Sequence, residues 1–193
     1  MLKVTILRLP YPRLMHGRKL MCVRKSPNFC YSQLIVLTLH LFFYNVIVSM
    51  EISYMTQNID MPQLNTAVLE EWIEKVASML GKRVGALTYV FCDDEYILDT
   101  NRQFLGHDYY TDIITFDYSN SHRIAGDMVI SIDTVKSNAQ QLGVDYDSEL
   151  LRVIIHGVLH LCGINDKGPG EREIMEQHEN EALAVLPQGI LAK

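Results

Sequence analysis

The stretch His156-Gly157-Val158-Leu159-His160-Leu161-Cys162-Gly163-Ile164-Asn165-Asp166 decides how this chain is read. Histidines four apart lie on one face of a helix, one turn above the other. That spacing lets two imidazoles converge on one metal ion, as in helical H-x-x-x-H sites. Gly163, three residues past the second histidine, suits a left-handed helix end. The chain can then turn back, so that Asp166 returns a carboxylate to the same point. Two imidazoles, one carboxylate and an open position for water describe a catalytic zinc site rather than a closed structural one. The same donors also suit non-haem iron. The spacing leaves a second reading open, in which each histidine makes a hydrogen bond inside a core.

Working outward, Asp147-Ser148-Glu149 offers N-cap and first-turn chemistry for the helix carrying the pair. Leu150, Leu151, Val153, Ile154, Ile155, Val158, Leu159 and Leu161 make that helix apolar almost all round. Such a helix is buried, and an unpaired buried imidazole would cost a few kcal/mol. Zinc peptidases of the H-E-x-x-H-x-x-G-x-x-H type share the spacing and the glycine. Here Gly157 stands at the glutamate position and Asp166 at the third histidine. A peptidase reading therefore lacks its acid/base group.

Two further blocks precede the histidines. They are Thr111-Asp112-Ile113-Ile114-Thr115-Phe116 and Gly126-Asp127-Met128-Val129-Ile130-Ser131. With His156-Gly157-Val158-Leu159-His160-Leu161 and Gly163 they follow in order the T-D-V-L-S-F, G-D-I-V-I-S and H-G-x-L-H-L-x-G patterns of one family. From residue 50 to about 186 the chain resembles the YbeY family, bacterial metal-dependent endoribonucleases that act in ribosomal RNA maturation. The resemblance implies a single Zn2+ ion held by His156, His160 and Asp166, which would activate water and stabilise charge on the scissile phosphate. It implies ribosomal RNA and ribosomes or pre-ribosomal particles as partners. The family usually has a third histidine where this chain has Asp166. It usually has an arginine at the place that an ungapped count gives to Leu105, and the flanking Arg102 and His107 are the candidates to replace it.

Composition divides the chain at Met50. Seven of its 17 Lys and Arg lie in residues 1–49, together with none of the Asp or Glu, so residues 50–193 hold ten basic against 23 acidic residues, a net of −13. So acidic a domain disfavours long contacts to RNA phosphates, which need clustered Lys and Arg. A local groove using Arg102, His107, Arg123 or Lys136 would suffice. Residues 34–48 are mostly apolar, shorter than the ~20 residues of a membrane-spanning helix. No small-residue cleavage site follows them. Residues 1–49 therefore read as a leader. It is an over-extended translation start, a membrane-associating segment or an extra buried element, and the first reading is preferred. The functional domain is 50–193, without stable membrane association. Cys22, Cys30, Cys92 and Cys162 show no C-x-x-C pairing, which fits a reduced, cytoplasmic protein.

Within the domain, Met50 opens a strand. Leu64, Val68, Trp72, Val76 and Leu80 recur at near-helical spacing over 62–80, closed by Gly81. Trp72 shares that stripe and reads as a core anchor rather than a base-stacking platform. Alternation predicts a strand over 86–92, and Asp93 caps a short helix running to about Asn101. Strands over 111–118 and 128–132 flank turn residues. A helix over 135–142 stops at Gly143, and a last helix covers 171–186 with its glutamates and His178 in solvent. These elements predict an α+β fold, with a mixed sheet of about four strands, several helices and the metal helix central. The first strand-helix-strand unit permits a parallel pair and the 111–132 hairpin an antiparallel one. The function expected is a zinc-dependent, single-strand-specific endoribonuclease of ribosomal RNA maturation and ribosome quality control. The alternatives are a ribosome-associated assembly factor whose nuclease activity has lapsed, or a metal-dependent hydrolase of a non-RNA substrate.

Overall fold

A computed structural model of the chain describes residues 51–191 and, as backbone only, the strand Val4–Arg8. The remaining expectations for the leader fall outside the described residues. In chain order the elements are β1 (Val4–Arg8), β2 (Glu51–Gln57), α1 (Thr66–Met79), β3 (Arg83–Cys92), α2 (Asp94–Leu105), β4 (Ile113–Asp117), β5 (Arg123–Ser131), α3 (Ile132–Leu142), α4 (Tyr146–Leu161) and α5 (Glu171–Ala184). The fold is α+β, as the sequence predicts.

The strands form one mixed sheet in the order β1-β4-β5-β3-β2. The β2-α1-β3 unit makes a parallel pair with Ile52 beside Leu87, and β4 pairs antiparallel with β5, with Ile113 beside Ile130. Both pairings were expected, because a helical crossover returns a strand parallel and a short turn returns it antiparallel. Four of the strands lie in the expected domain, and β1 adds a fifth, parallel to β4 at the edge.

Strand side chains alternate between the two faces, and the core follows that alternation. Tyr89, Phe91, Ile113, Met128 and Ile130 join the main cluster with α1, α4 and α5. Val90, Cys92, Ile114, Phe116 and Val129 form a second cluster with Ile97 of α2. Trp72 is 1% exposed and donates its indole N–H to the carbonyl of Ala182 at 2.9 Å, which ties α1 to α5.

Helix α4 packs on β4 and β5 and meets α1, α3 and α5. Every residue of it from Val153 to Leu161 is buried. Its N-cap is Asp145, two residues earlier than the sequence suggests, accepting from the amides of Asp147 and Ser148. The reason is Tyr146, whose partly buried ring packs on the core and draws the first turn back. Gly126 lets α4 sit this close to the sheet. A Cβ there would overlap the Phe116 carbonyl oxygen and lie 2.8 Å from Cδ2 of Leu161. Because the first of these is backbone, the overlap cannot be relieved by a side-chain rotation. Gly126→Ala is expected to lower the unfolding free energy by about 1–3 kcal/mol, read as a lower urea midpoint at unchanged m.

Candidate metal centre

Three side chains converge at the C-terminal half of α4. Nε2 of His156 and Nε2 of His160 each lie 3.8 Å from Oδ2 of Asp166. Single donor atoms of the three residues all fall within 4.8 Å of one another. A zinc ion sits about 2.0–2.2 Å from nitrogen and oxygen donors, so donors this close can share one. The helix sets the two imidazoles one turn apart, with ring centres 4.4 Å apart and planes at 88°. Gly163, at φ 100°, then reverses the chain. The reversal brings Asp166 back and also places the Ile164 carbonyl 2.7 Å from Nδ1 of His160.

The hydrogen bonds fix which imidazole nitrogen is available. A carbonyl only accepts, so Nδ1 of His160 carries the proton and Nε2 carries the lone pair. Nδ1 of His156 lies 2.5 Å from Oε1 of Glu179, which assigns the same tautomer. Both Nε2 atoms, and Oδ1 of Asp166, are buried without a hydrogen-bond partner. Burial, and then the neighbouring His156, push the His160 pKa down to about 3, so its ring is neutral at any ordinary pH. Two imidazoles with unpartnered Nε2 atoms, 1% and 2% exposed, are the donors a divalent ion takes. The residues present fit a metal.

Glu179 was not legible as part of this arrangement. The sequence reading put the α5 glutamates in solvent, whereas Glu179 is 3% exposed. It lies four residues after Met175 and three before Ala182, so it occupies the buried stripe of α5. That spacing was the available signal. Arg152 donates to Oε2 of Glu179 at 2.9 Å and to Oδ1 of Asn180 at 3.2 Å. Burial pushes the Glu179 carboxyl up, but the bonds from His156 and Arg152 outweigh it and hold it below the usual carboxylate range. An ionised carboxylate on Nδ1 orients a ligating histidine and raises its basicity.

A family model described as Endoribonuclease YbeY matches residues 51–187. The chain belongs to the endoribonuclease YbeY family. It is 60% identical over 136 residues to the Endoribonuclease YbeY of Bacteroides thetaiotaomicron, covering 70% of this chain and 99% of that protein. The Endoribonuclease YbeY of Phocaeicola vulgatus is 62% identical over 135 residues, with 70% and 98% covered. A solution structure of a Thermotoga maritima protein aligns at a TM-score of 0.50 and 25% identity, over 69% of this chain and 89% of that one.

The remaining YbeY motif residues divide between scaffold and site. Asp112 takes the Ile113 amide at 2.8 Å and the Asn138 side-chain amide at 3.0 Å, which joins the start of β4 to α3. Gly157 packs on the sheet, where a Cβ would lie 2.8 Å from Cδ1 of Ile113 and 3.0 Å from Sδ of Met128. The peptidase glutamate position thus points into the core, away from any substrate. Leu105 packs on the second cluster. Arg102 is held by Asp108 at 2.6 Å and Asp99 at 3.4 Å. A cleft of about 1020 Å³ opens on His156 and Asp166, and neither Arg102 nor His107 lines it. Arg123 and Lys136 do not line it either; its cations are Arg152, Lys167 and Arg172. Cys162 caps α4, and burial pushes its thiol up to about 12, far from a reactive or metal-binding thiolate. Among the described residues no helix is long and apolar enough to cross a membrane.

Proposed function

We propose that this endoribonuclease is zinc-dependent, cuts single-stranded RNA, and acts in ribosomal RNA maturation and ribosome quality control in the cytoplasm. His156, His160 and Asp166 hold the ion. The observation that carries this reading is the pair of buried, unpartnered Nε2 atoms facing one carboxylate. When bound, the ion supplies Lewis acidity for the phosphodiester and lowers the pKa of water. The protein's own part is positional. Glu179 and the Ile164 carbonyl hold both imidazoles with their lone pairs turned to one point. Three protein donors leave room for water and substrate, which a closed four-ligand site would not. A soft thiolate is absent from the cluster, and a His-His-Asp set suits zinc.

The names of the relatives support hydrolysis of RNA. The ribosomal partners follow from the family resemblance. A lapsed-activity assembly factor is the rival favoured by one observation, the apolar Leu105 where the family usually has arginine. Incubating the zinc-loaded chain with a defined single-stranded RNA, the same RNA as a duplex, and the His160→Ala chain as control separates the two. Cleavage of the single strand alone, lost in His160→Ala, is the expected result. Equal residual cleavage by His160→Ala would exclude the metal site from the reaction, and no cleavage by the parent would favour the assembly factor.

A further inference from the structure

Of the three cations that line the metal cleft, Arg152 is committed to Glu179 and Asn180. The other two, Lys167 and Arg172, are exposed. Among the described residues, neither of their side chains makes a hydrogen bond or an ion pair. The acids near them are otherwise engaged. Asp166 turns Oδ2 to the two histidines at 3.8 Å. Glu171 takes the Gly168 amide on Oε2 at 2.6 Å. Glu176 lies one turn after Arg172 on α5, and a basic residue placed before an acidic one at this spacing pairs less well than the reverse order.

Neither position is one that stability favours. Lys167 directly follows Asp166, and its charge reaches the cluster: after burial and His156, Lys167 also lowers the His160 pKa. A cation there opposes a bound metal ion as it opposes a proton. Arg172 stands in the first turn of α5, where the helix dipole disfavours positive charge. The segment that carries both is nonetheless fixed. Gly168 donates its amide to Glu171 and accepts the Glu171 amide on its own carbonyl at 3.1 Å, which closes the turn between Asp166 and α5. Two unneutralised cations, held against the local electrostatics beside a metal centre, are accounted for by an anion that enters the cleft.

We infer that Lys167 and Arg172 form a two-point track for RNA phosphates along this cleft, with Lys167 on the phosphate being cut and Arg172 on a neighbouring one. This rests on the endoribonuclease reading and deepens it, because it says which side chains hold the backbone. A phosphodiester gains negative charge on its non-bridging oxygens as water adds to it. A cation beside the metal cluster therefore counts for more in the transition state than in the bound substrate. A cation on a neighbouring phosphate meets the same charge in both states, so it acts on binding alone. Lys167 should show in kcat and Arg172 in KM. Glu149, Asp166, Glu176 and Glu179 line the cleft as well, which confines backbone contact to these two points instead of spreading it along a basic surface. On a single strand each phosphate contact contributes about −0.7 to the slope of log affinity against log salt, or about 5-fold in affinity for a tenfold change in salt.

The test is fluorescence anisotropy of the zinc-loaded full chain with a labelled single-stranded 2′-O-methyl octaribonucleotide, checked by gel to be intact, over a series of salt concentrations. Lys167→Ala and Arg172→Ala are each expected to make the salt slope shallower by about 0.7. Each should weaken binding about 5-fold at about 0.1 M salt, a difference that vanishes towards about 1 M. Lys167→Arg and Arg172→Lys keep the charge and should keep the parent slope. Neither alanine variant should bind less zinc or melt lower than the parent, because each removes a cation from an unfavourable place. On the unmodified octamer, Lys167→Ala should lower kcat by at least about 10-fold, and Arg172→Ala should raise KM at unchanged kcat. An unchanged slope in either alanine variant, an equal loss of slope in Lys167→Arg, an unchanged kcat in Lys167→Ala, or a loss of zinc that accounts for its weaker binding would each overturn the inference. The two readings fail separately. Slopes that respond to both substitutions, with no cleavage by the parent, remove the nuclease reading alone, and cleavage with unresponsive slopes removes the phosphate track alone.

Discussion

His156→Ala is expected to take bound zinc from about one ion per chain to near zero, and RNA cleavage with it. The size of the effect follows from the count of donors. The cluster offers three side chains, and a catalytic zinc site with two protein ligands lies outside the usual range. Removing His156 also strips Glu179 of its hydrogen bond, leaving a buried carboxylate with Arg152 as its remaining partner. That adds a stability cost of about 1–3 kcal/mol, so His156→Gln, which fills more of the space, is the companion variant. Glu179→Gln grades the effect. It keeps an oxygen acceptor for Nδ1 of His156 but removes the charge that makes the ring more basic. Zinc affinity should fall about 10-fold, and up to about 100-fold in Glu179→Ala, without loss of the ligands themselves. Elemental analysis gives the stoichiometry, and titration against a chelator of known affinity gives the constants. Full zinc occupancy in His156→Ala with a folded circular-dichroism spectrum would defeat the metal assignment. Unchanged affinity in both Glu179 variants would reduce that residue to a packing role.

Much of this was legible because it depends on short-range periodicity. The i, i+4 histidines, the apolar helix around them and the strand alternation at 86–92 each follow from one repeat length, and α4 and β3 appear where those repeats place them. Gly81, Gly106 and Gly143, all at positive φ, end helices because no other residue enters that conformation as cheaply. Contacts between elements distant in sequence were harder. Glu179 lies 23 residues from His156, and nothing local distinguishes it from Glu176 or Glu181 except its place in a weak stripe. Tyr109 read as part of a polar loop, and it lines a cleft formed by the α3-α4 turn and α5, far from it in sequence. Lys167 and Arg172 line the cleft, whereas Arg102 and His107, which adjoin the expected arginine position in sequence, do not. The Asp145 cap was missed by two residues because Asp145, Asp147 and Ser148 are all good caps, and the packing of Tyr146 chooses between them.

Asp166 is the member of the cluster on which this chain departs from its family's usual histidine, and its substitution should produce the most diagnostic series. Asp166→Ala should lose zinc affinity by at least about 100-fold, since it removes one of three donors while leaving both histidines and their hydrogen bonds intact. Asp166→Asn keeps the size and any turn hydrogen bond but replaces an anionic donor with a neutral one, so affinity should fall by a smaller factor. Asp166→His should retain zinc. It also takes one negative charge from the site, leaving the ion's positive charge less neutralised. A more positive site favours the deprotonated form of the attacking water, so the rise of cleavage rate with pH should move to lower pH. The competing account is that Asp166 only shapes the turn after Gly163. Its buried Oδ1 has no hydrogen-bond partner, and its Oδ2 faces both Nε2 atoms at 3.8 Å, which is poor geometry for a turn cap and good geometry for a ligand. If zinc affinity proves the same in the Ala, Asn and His variants, Asp166 leaves the site, and the two histidines must find their third partner in water.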